Sequence, residues 1–361
     1  MTDMNFNFPF LRPIRMLLLP VSILYGLVIH LRNWMFDKKI IGSTSFNLPL
    51  ICVGNLSVGG TGKSPMVEFL VKRLKAHVEI AVLSRGYKRK TRGYALADSH
   101  TTALDIGDEP MQFHLKFPDI TIAVGEERVV AIPQLLHDRP ATRAIVLDDA
   151  FQHRSVRAGL NILLTDYNNL FTRDWFLPTG DLRDEKKSYK RADIIVVTKC
   201  ERNLRESEKH EIIGEISPLP TQQVFFSSIE YGDPYHIISK IARPITGFVE
   251  VLLVCGIANP APIKKFLDTH SKTYYELTYR DHHIFSIDDL KNIIRRFNQL
   301  PAKNKIILTT EKDAVRLVKF EQELRNLPFY VIPIESRFLF NEEHRFTDLI
   351  VTFINGFNHL S

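Results

Sequence analysis

The chain has 361 residues, 45% hydrophobic and 24% charged, which supplies a sizeable core and a length of about two domains. Disordered tails, collagen-like repeats and disulfide-stapled miniproteins are thereby excluded. Lys and Arg (47) exceed Asp and Glu (41), leaving a formal charge of +6, a balance that suits nucleic acid, a membrane surface or phosphorylated substrates, or does no more than keep the protein soluble. The three cysteines, Cys52, Cys200 and Cys255, form no C-x-x-C pair. Neither a thiolate zinc site nor a disulfide framework is expected, and so sparse a set fits a reducing compartment.

Residues 1–40 read as a hydrophobic, membrane-associated segment. Met16–Leu31 carries no formal charge over sixteen residues. A spanning helix needs about 20 apolar residues, and this run is also interrupted by Pro20, Gly26 and His30. Arg12 and Arg15 precede it; Arg32, Lys38 and Lys39 follow. Basic ends suit a helix lying on, or dipping into, an anionic leaflet. A helix docked on the core is the alternative. A secretory signal is opposed by Arg32 and by the lack of a small-x-small cleavage site.

From residue 41 short apolar runs alternate with amphipathic stretches. Leu48–Val53, Ile80–Leu83, Ile120–Val124, Ala144–Leu147, Leu160–Leu164 and Ile194–Thr198 read as buried parallel strands. Met66–Leu74 has helical spacing. The pattern predicts an α/β, doubly wound, mainly parallel sheet over 41–230. A linker rich in Gly, Pro and Tyr is expected around 231–245. A smaller α/β unit follows over 246–361, with strands at Val249–Val254, Thr273–Leu277, Lys305–Leu308 and Tyr330–Ile332. Its helices are expected around Pro262–Thr269 and Ile287–Phe297.

The densest signal is VGNLSVGGTGKSP at 53–65. A strand feeds a glycine-rich turn that opens a helix, the arrangement of an NTPase phosphate loop. Gly59, Gly60 and Gly62, with Thr61 among them, let backbone N–H groups converge on phosphate oxygens. The helix N-terminus adds its dipole. Lys63 is placed to reach the β/γ-phosphates and the Ser64 hydroxyl to ligate Mg²⁺. Ser57 stands where the standard pattern has Gly. Val58 stands where partition-type ATPases carry a second lysine. A second strand delivers Asp148 and Asp149, from which a metal carboxylate is expected; adjacent residues on extended chain point opposite ways, so their roles should differ.

Other short clusters fall in a recognisable order: Ser84-Arg85-Gly86-Tyr87, Gly107-Asp108-Glu109-Pro110, Asp148-Asp149-Ala150-Phe151-Gln152-His153, Leu177-Pro178-Thr179-Gly180 before Leu182-Arg183, Gly256-Ile257-Ala258-Asn259-Pro260, Asp281-His282 and Thr310-Glu311-Lys312-Asp313-Ala314. The set resembles the tetraacyldisaccharide 4′-kinase (LpxK) family over most of the chain. Three departures stand out. Ala150 replaces the family's usual Gly, and Asp181 and Asp184 replace its Pro and Glu around Arg183.

The resemblance implies an enzyme that uses ATP and Mg²⁺ to phosphorylate the 4′-hydroxyl of a tetraacylated glucosamine disaccharide 1-phosphate, yielding lipid IVA. It implies a peripheral or monotopic place on the cytoplasmic face of the inner membrane, a site in the cleft between two domains, no nucleic acid and no obligate protein partner. It makes Asp108 the candidate base, with His282 orienting it or relaying its proton. Residue types alone would read Asp108 as a helix cap and His282 as a surface histidine. Glu109 and Asp149 could complete the metal shell. Arg85, Arg128, Gln152 and His153 fall at substrate positions, and Arg85, Lys88, Arg89 and Arg92 form a basic run suited to a phosphate. Two other classes stay open: a P-loop switch or metal-insertion NTPase, and a membrane scaffold without catalysis. The first should show a clear Asn-Lys-x-Asp base reader, of which Thr198-Lys199-Cys200-Glu201 is a distant echo. Intact Lys63, Ser64, Asp148 and Asp149 oppose the second.

Overall fold

The computed structural model describes residues 15–357; Arg12 lies outside them. The chain enters through helix α1 (Leu19–Asp37). It then forms β1 (Leu50–Asn55), α2 (Lys63–Leu74), β2 (Ile80–Ser84), β3 (Ala95–Leu96), α3 (Asp108–Lys116), β4 (Thr121–Val124), α4 (Arg128–Asp138), β5 (Ala144–Asp148), β6 (Leu160–Asp166), β7 (Ile194–Thr198), α5 (Glu206–Ile216) and β8 (Gln223–Tyr231). The second half contains β9 (Tyr235–His236), β10 (Glu250–Cys255), α6 (Ala261–His270), β11 (Thr273–Thr278), α7 (Ile287–Asn298), β12 (Lys305–Thr310), α8 (Glu311–Leu317), β13 (Phe329–Ile332), β14 (Ile334–Phe338) and α9 (Glu343–Phe357).

A nine-stranded sheet runs β14-β8-β7-β6-β1-β5-β2-β4-β3. It is parallel from β8 to β4, and only the edge pairs β14–β8 and β3–β4 are antiparallel. The central strands are apolar without alternation because both faces are covered. Ile51, Val53 and Val146 look one way, among Met66, Phe69 and Leu70. Leu50, Cys52 and Leu147 look the other way, among Ile132 and Leu135. A five-stranded sheet, β11-β10-β12-β13-β9, has its own two apolar clusters. The doubly wound α/β architecture expected from the sequence is what the chain forms.

The last elements return to the large sheet. β14 pairs antiparallel with β8. Phe346, Ile350 and Ile354 of α9 join the core around Phe69 and Phe225, with Phe225 and Phe346 edge to face at 5.3 Å. The stretch expected at 246–361 as one unit is therefore divided between the two sheets. β8 escaped sequence reading because Ser227 and Ser228, both buried, interrupt its apolar run. β14 is a short edge strand of mixed polarity.

Helix α1 is inverted relative to a core helix. Its buried residues are Ser22, Gly26 and Asn33, while Leu24, Leu27, Val28 and Leu31 are 55–64% exposed. The polar face is stitched to residues 174–185. Ser22 Oγ donates to the Phe176 carbonyl at 2.9 Å, and Asn33 Nδ2 to Asp184 Oδ1 at 2.7 Å. At Gly26 a Cβ would stand 2.8 Å from the Phe176 ring, so the close approach requires glycine. Among the described residues no helix is long and apolar enough to cross a membrane.

Candidate active site

The site gathers at the C-terminal ends of β1, β5 and β2, where a doubly wound sheet opens a crevice. β1 ends at Asn55, and Gly62 (φ 81°) caps α2. Gly59 also has a positive φ (97°), a region that side chains rarely tolerate. Gly59 and Gly60 are exposed, and a Cβ on either would meet no atom within 4 Å. Thr61 is buried; its carbonyl accepts from Thr198 Oγ1 at 2.8 Å, and its own hydroxyl has no partner among the described residues. Lys63 and Ser64 open the helix, both half-buried. Lys63 Nζ lies 3.3 Å from Asn55 Oδ1 and 3.8 Å from Asp149 Oδ1.

The two aspartates sit in different environments, though Asp149 lies past the end of the extended strand. Asp148 is buried and accepts from Ser84 Oγ at 2.9 Å. No cation forms an ion pair with it among the described residues. Burial first, then the charges of Glu109 and Asp149, pushes its carboxyl up to about 7. Asp149 sits in left-handed backbone (φ 48°). Burial opposes its charge, but Lys63 and Arg183 hold it down to about 2. Arg183 forks onto both Asp149 oxygens and reaches Asn55 Oδ1 at 2.6 Å.

Across the crevice, α3 begins with Asp108 and Glu109. His282, in the turn after β11, places Nδ1 2.8 Å from Asp108 Oδ2. The cap assignment that residue types favoured for Asp108 is replaced by a contact between the two sheets. Burial works against the Asp108 charge, yet Arg316 and His282 hold its carboxyl well below the usual range. Arg316 donates from Nε to Asp108 Oδ1 at 2.9 Å and from Nη2 to Oδ2. Lys312 Nζ donates to Glu109 Oε1 at 2.9 Å. Burial opposes the Glu109 charge too, but Lys312 lowers its carboxyl. Sequence reasoning missed Arg316. The signal was present, since it lies four residues beyond Lys312 on the same face of α8.

Other expectations fare differently. Arg85 is exposed and close enough for its charge to act on Arg128 and His153. Arg128 is 1% exposed, donating to the Gly125 and Asp148 carbonyls. The substrate contact expected of Arg128 gives way to bracing of the Asp148 backbone. Gln152 Nε2 donates to the Asn55 carbonyl at 2.6 Å. His153 lines a cavity of about 30 Å³ with Cys52, Arg128 and Arg191. Burial, with Arg128 and Arg85, pushes its imidazole down to about 4. In the basic run, Arg89 is held by Glu126 and the Gly93 carbonyl, so it is not offered to a phosphate. Asp184 is buried among Asn33, Ser188 and Arg191; it ties α1 to residues 184–191.

The residues present fit a nucleotide and a divalent cation. A phosphate loop with an open glycine turn lies beside a Thr61 hydroxyl without a partner, and a buried Asp148 without a paired cation, among the described residues. No cluster of three or more His, Cys, Asp or Glu able to hold a metal occurs among the described residues. Mg²⁺ needs none where one or two carboxylates act with a hydroxyl and substrate phosphates.

Known proteins resemble this chain in sequence and in fold. The family described as tetraacyldisaccharide-1-P 4′-kinase, LpxK, matches residues 14–355. A tetraacyldisaccharide 4′-kinase of Bacteroides thetaiotaomicron is 44% identical over 353 residues, 93% of this chain and 92% of that one. One from Flavobacterium johnsoniae is 45% identical over 342 residues, 94% and 97% of the two chains. The crystal structure of LpxK from Aquifex aeolicus in complex with ATP superposes with a TM-score of 0.75 at 26% identity, covering 94% of this chain and 99% of that one. By sequence and by fold, the chain belongs to the tetraacyldisaccharide-1-P 4′-kinase family.

Proposed function

We infer that this protein is an ATP-dependent kinase that phosphorylates the 4′-hydroxyl of a tetraacylated disaccharide 1-phosphate in lipid A biosynthesis. Beyond the family likeness, one observation supports this reading: an Asp108–His282 pair, whose members come from different halves of the chain, adjoins Glu109, which lies close enough to the phosphate-loop Lys63 for that charge to act on it. A switch NTPase has no need of a carboxylate–imidazole pair beside its phosphates, whereas transfer to a sugar alcohol needs a base.

Phosphoryl transfer depends on positioning and charge neutralisation. Gly59–Gly62 and the α2 N-terminus cradle the phosphates. Lys63 offsets the β/γ-phosphate charge. Ser64 and Asp148 would hold Mg²⁺, which supplies further neutralisation when bound. Asp148 is favoured over Asp149 because Lys63 and Arg183 already compensate Asp149. A carboxylate only accepts, so the contact with Asp108 Oδ2 needs the proton on His282 Nδ1. His282 Nε2 then offers a lone pair to the attacking hydroxyl, and Asp108 stabilises the imidazolium formed. Arg85, exposed, and Gln152, bonded to the carbonyl of Asn55, are the side chains we assign to the acceptor.

The apolar face of α1 supports peripheral binding to the cytoplasmic face of the inner membrane, where an acylated substrate resides. Trp175, also 57% exposed, follows Asp174 in the segment to which α1 is stitched. Of the basic flank, Arg15 bonds Asp181 and the Pro178 carbonyl, and Arg32 the Gln152 carbonyl. Lys38 and Lys39 remain exposed for anionic headgroups.

The test is phosphotransfer from γ-labelled ATP to the acylated disaccharide 1-phosphate, with GTP as competing donor. Labelled lipid is the expected product. ATP or GTP hydrolysis with no labelled lipid would overturn the reading.

A further inference from the structure

Helix α8 joins the five-stranded sheet to the active-site helix of the nine-stranded one. Arg316 is 7% exposed at its side chain and Asp108 15%, so the pair is largely withdrawn from water. The guanidinium takes both carboxylate oxygens, with Nε on Oδ1 at 2.9 Å and Nη2 on Oδ2. A two-point grip fixes the carboxylate plane, which a single point charge does not. The same Nη2 lies 2.9 Å from His282 Nδ1. Two donors, Nη2 and Nδ1, therefore meet at Oδ2, and their protons must be shared out. Arginine has no lone pair to accept with. When its Nη2–H is directed at Oδ2, Nδ1 satisfies the same oxygen only by donating its own proton. The rest of the surroundings is compatible with this assignment. Asp281 Oδ2 is 3.7 Å from Nε2 and outside hydrogen-bond range. The Tyr87 ring lies edge-on to the imidazole at 6.3 Å and makes no claim on either nitrogen.

We propose that Arg316 is a positioning residue of the phosphotransfer reaction: it clamps the Asp108 carboxylate so that His282 keeps its proton on Nδ1 and turns Nε2 to the acceptor hydroxyl. The proposal rests on the reading of Asp108 and His282 as the base unit. It differs from a purely mechanical role, in which Arg316 would only hold the two sheets together, as the Lys116–Glu311 pair does at 2.7 Å. A latch lowers stability and acts on every step alike. A positioning residue lowers kcat through His282 alone.

The experiment compares Arg316→Ala, Arg316→Lys, His282→Ala and the Arg316→Ala/His282→Ala double variant in the full-length chain. The assay uses ATP and the acylated disaccharide 1-phosphate, with melting curves alongside. Misplacement of a reacting group costs up to about 100-fold. Arg316→Ala is expected to lose roughly 10- to 100-fold in kcat, with the KM for ATP unchanged. Arg316→Lys keeps the charge without the fork and should recover little. Methylguanidinium in solution should restore part of the Arg316→Ala rate, and methylammonium should not. In the His282→Ala background the Arg316→Ala change should cost almost nothing more. An Arg316→Ala kcat within twofold of wild type overturns the proposal. So does an undiminished loss in the His282→Ala background. A His282→Ala enzyme with wild-type kcat would instead remove the base-unit reading on which the proposal stands.

Discussion

Nδ1 of His282 lies 2.8 Å from Oδ2 of Asp108, although 174 residues separate them in sequence. The two belong to different sheets: Asp108 opens a helix of the large one, and His282 follows β11 of the small one. Their meeting depends on both sheets folding and docking, so the base unit exists only in the assembled molecule.

That dependence gives a kinetic signature. Asp108→Ala and His282→Ala should each lower kcat by roughly 100-fold or more, in the range of general acid–base catalysis. ATP affinity should hold, because neither residue belongs to the phosphate loop. Groups acting as a unit are non-additive, so the double variant should match the worse single one. Multiplicative losses would show independent roles. A lost helix cap, by contrast, would appear as about 1 kcal/mol of stability with kcat intact.

Lys63→Ala should reduce kcat at least 100-fold, comparable to the loss of a preorganised electrostatic contact. Its effect should not be confined to the phosphates. Lys63 also compensates Asp149, so the variant leaves Arg183 as the remaining cation bonded to that carboxylate. Single-turnover phosphotransfer at saturating ATP is the measurement, and a rate near wild type would remove Lys63 from the mechanism.

Gly54 tests the packing under the site. A Cβ there would stand 2.6 Å from Phe151 Cβ and 2.9 Å from the Phe151 backbone nitrogen. Backbone cannot swing aside as a flexible side-chain tip can. Gly54→Ala should destabilise by about 1–3 kcal/mol, the cost of overpacking, and displace the 148–152 segment. A lower urea midpoint with reduced kcat is expected; unchanged values for both would show that the segment yields freely.

Asp148 should leave a mark on stability against pH. An aspartate in the unfolded chain ionises near 3.9, whereas burial and the Glu109 and Asp149 charges push Asp148 up to about 7. Between these values the folded state holds a proton that the unfolded state has lost. The stabilisation is complete below the lower value and is lost as pH rises through the upper one. Glu68, pushed to about 7 by burial and Glu311, contributes in the same window. The informative comparison is therefore wild type against Asp148→Asn, by urea unfolding at pH 5 and pH 8 without Mg²⁺. Wild type should lose more stability over that interval, and equal losses would refute the assignment.

The sequence was most legible where one physical demand acted alone. Doubly covered strands such as β1 and β7 read as apolar runs because both faces are packed, and their buried polar residues, Asn55 and Thr198, come only at the C-terminal ends beside the site. The phosphate loop was legible because a glycine turn between strand and helix leaves a local pattern. Arg128 suits a phosphate as a residue type, but in the fold the backbone carbonyls of Gly125 and Asp148, 3 and 20 positions away from it in the chain, take its guanidinium. Asp108 and His282 were unreadable from local pattern, since their roles arise from a contact between sheets, and only the resemblance pointed to them. Arg316 lay just beyond the quoted motif: its i+4 spacing from Lys312 marks a shared helix face, but its partner Asp108 is set by the docking of α8 on α3.

Helix α1 carries the remaining prediction. Leu24, Leu27, Val28 and Leu31 repeat at helical spacing on one exposed stripe. The opposite face is fixed to residues 174–185 by Ser22, Tyr25 and Asn33. Removing the whole helix would disturb both faces, because Tyr25 bonds the carbonyl of Arg183 and Arg183 holds Asp149. Substituting the stripe alone separates the two effects. Leu24→Glu/Val28→Glu leaves the stitched face intact and puts two charges where lipid contact is expected. Burying an aliphatic side chain is worth about 1.5–3 kcal/mol, so losing two should weaken binding to anionic vesicles by roughly 100-fold or more. The KM for the acylated disaccharide should rise with it. The KM for ATP and the melting temperature should stay near wild type. Sedimentation with anionic vesicles and steady-state kinetics in mixed micelles measure the two sides. Undiminished sedimentation, with an unchanged KM for the lipid, would show that the exposed stripe is not the membrane-binding face.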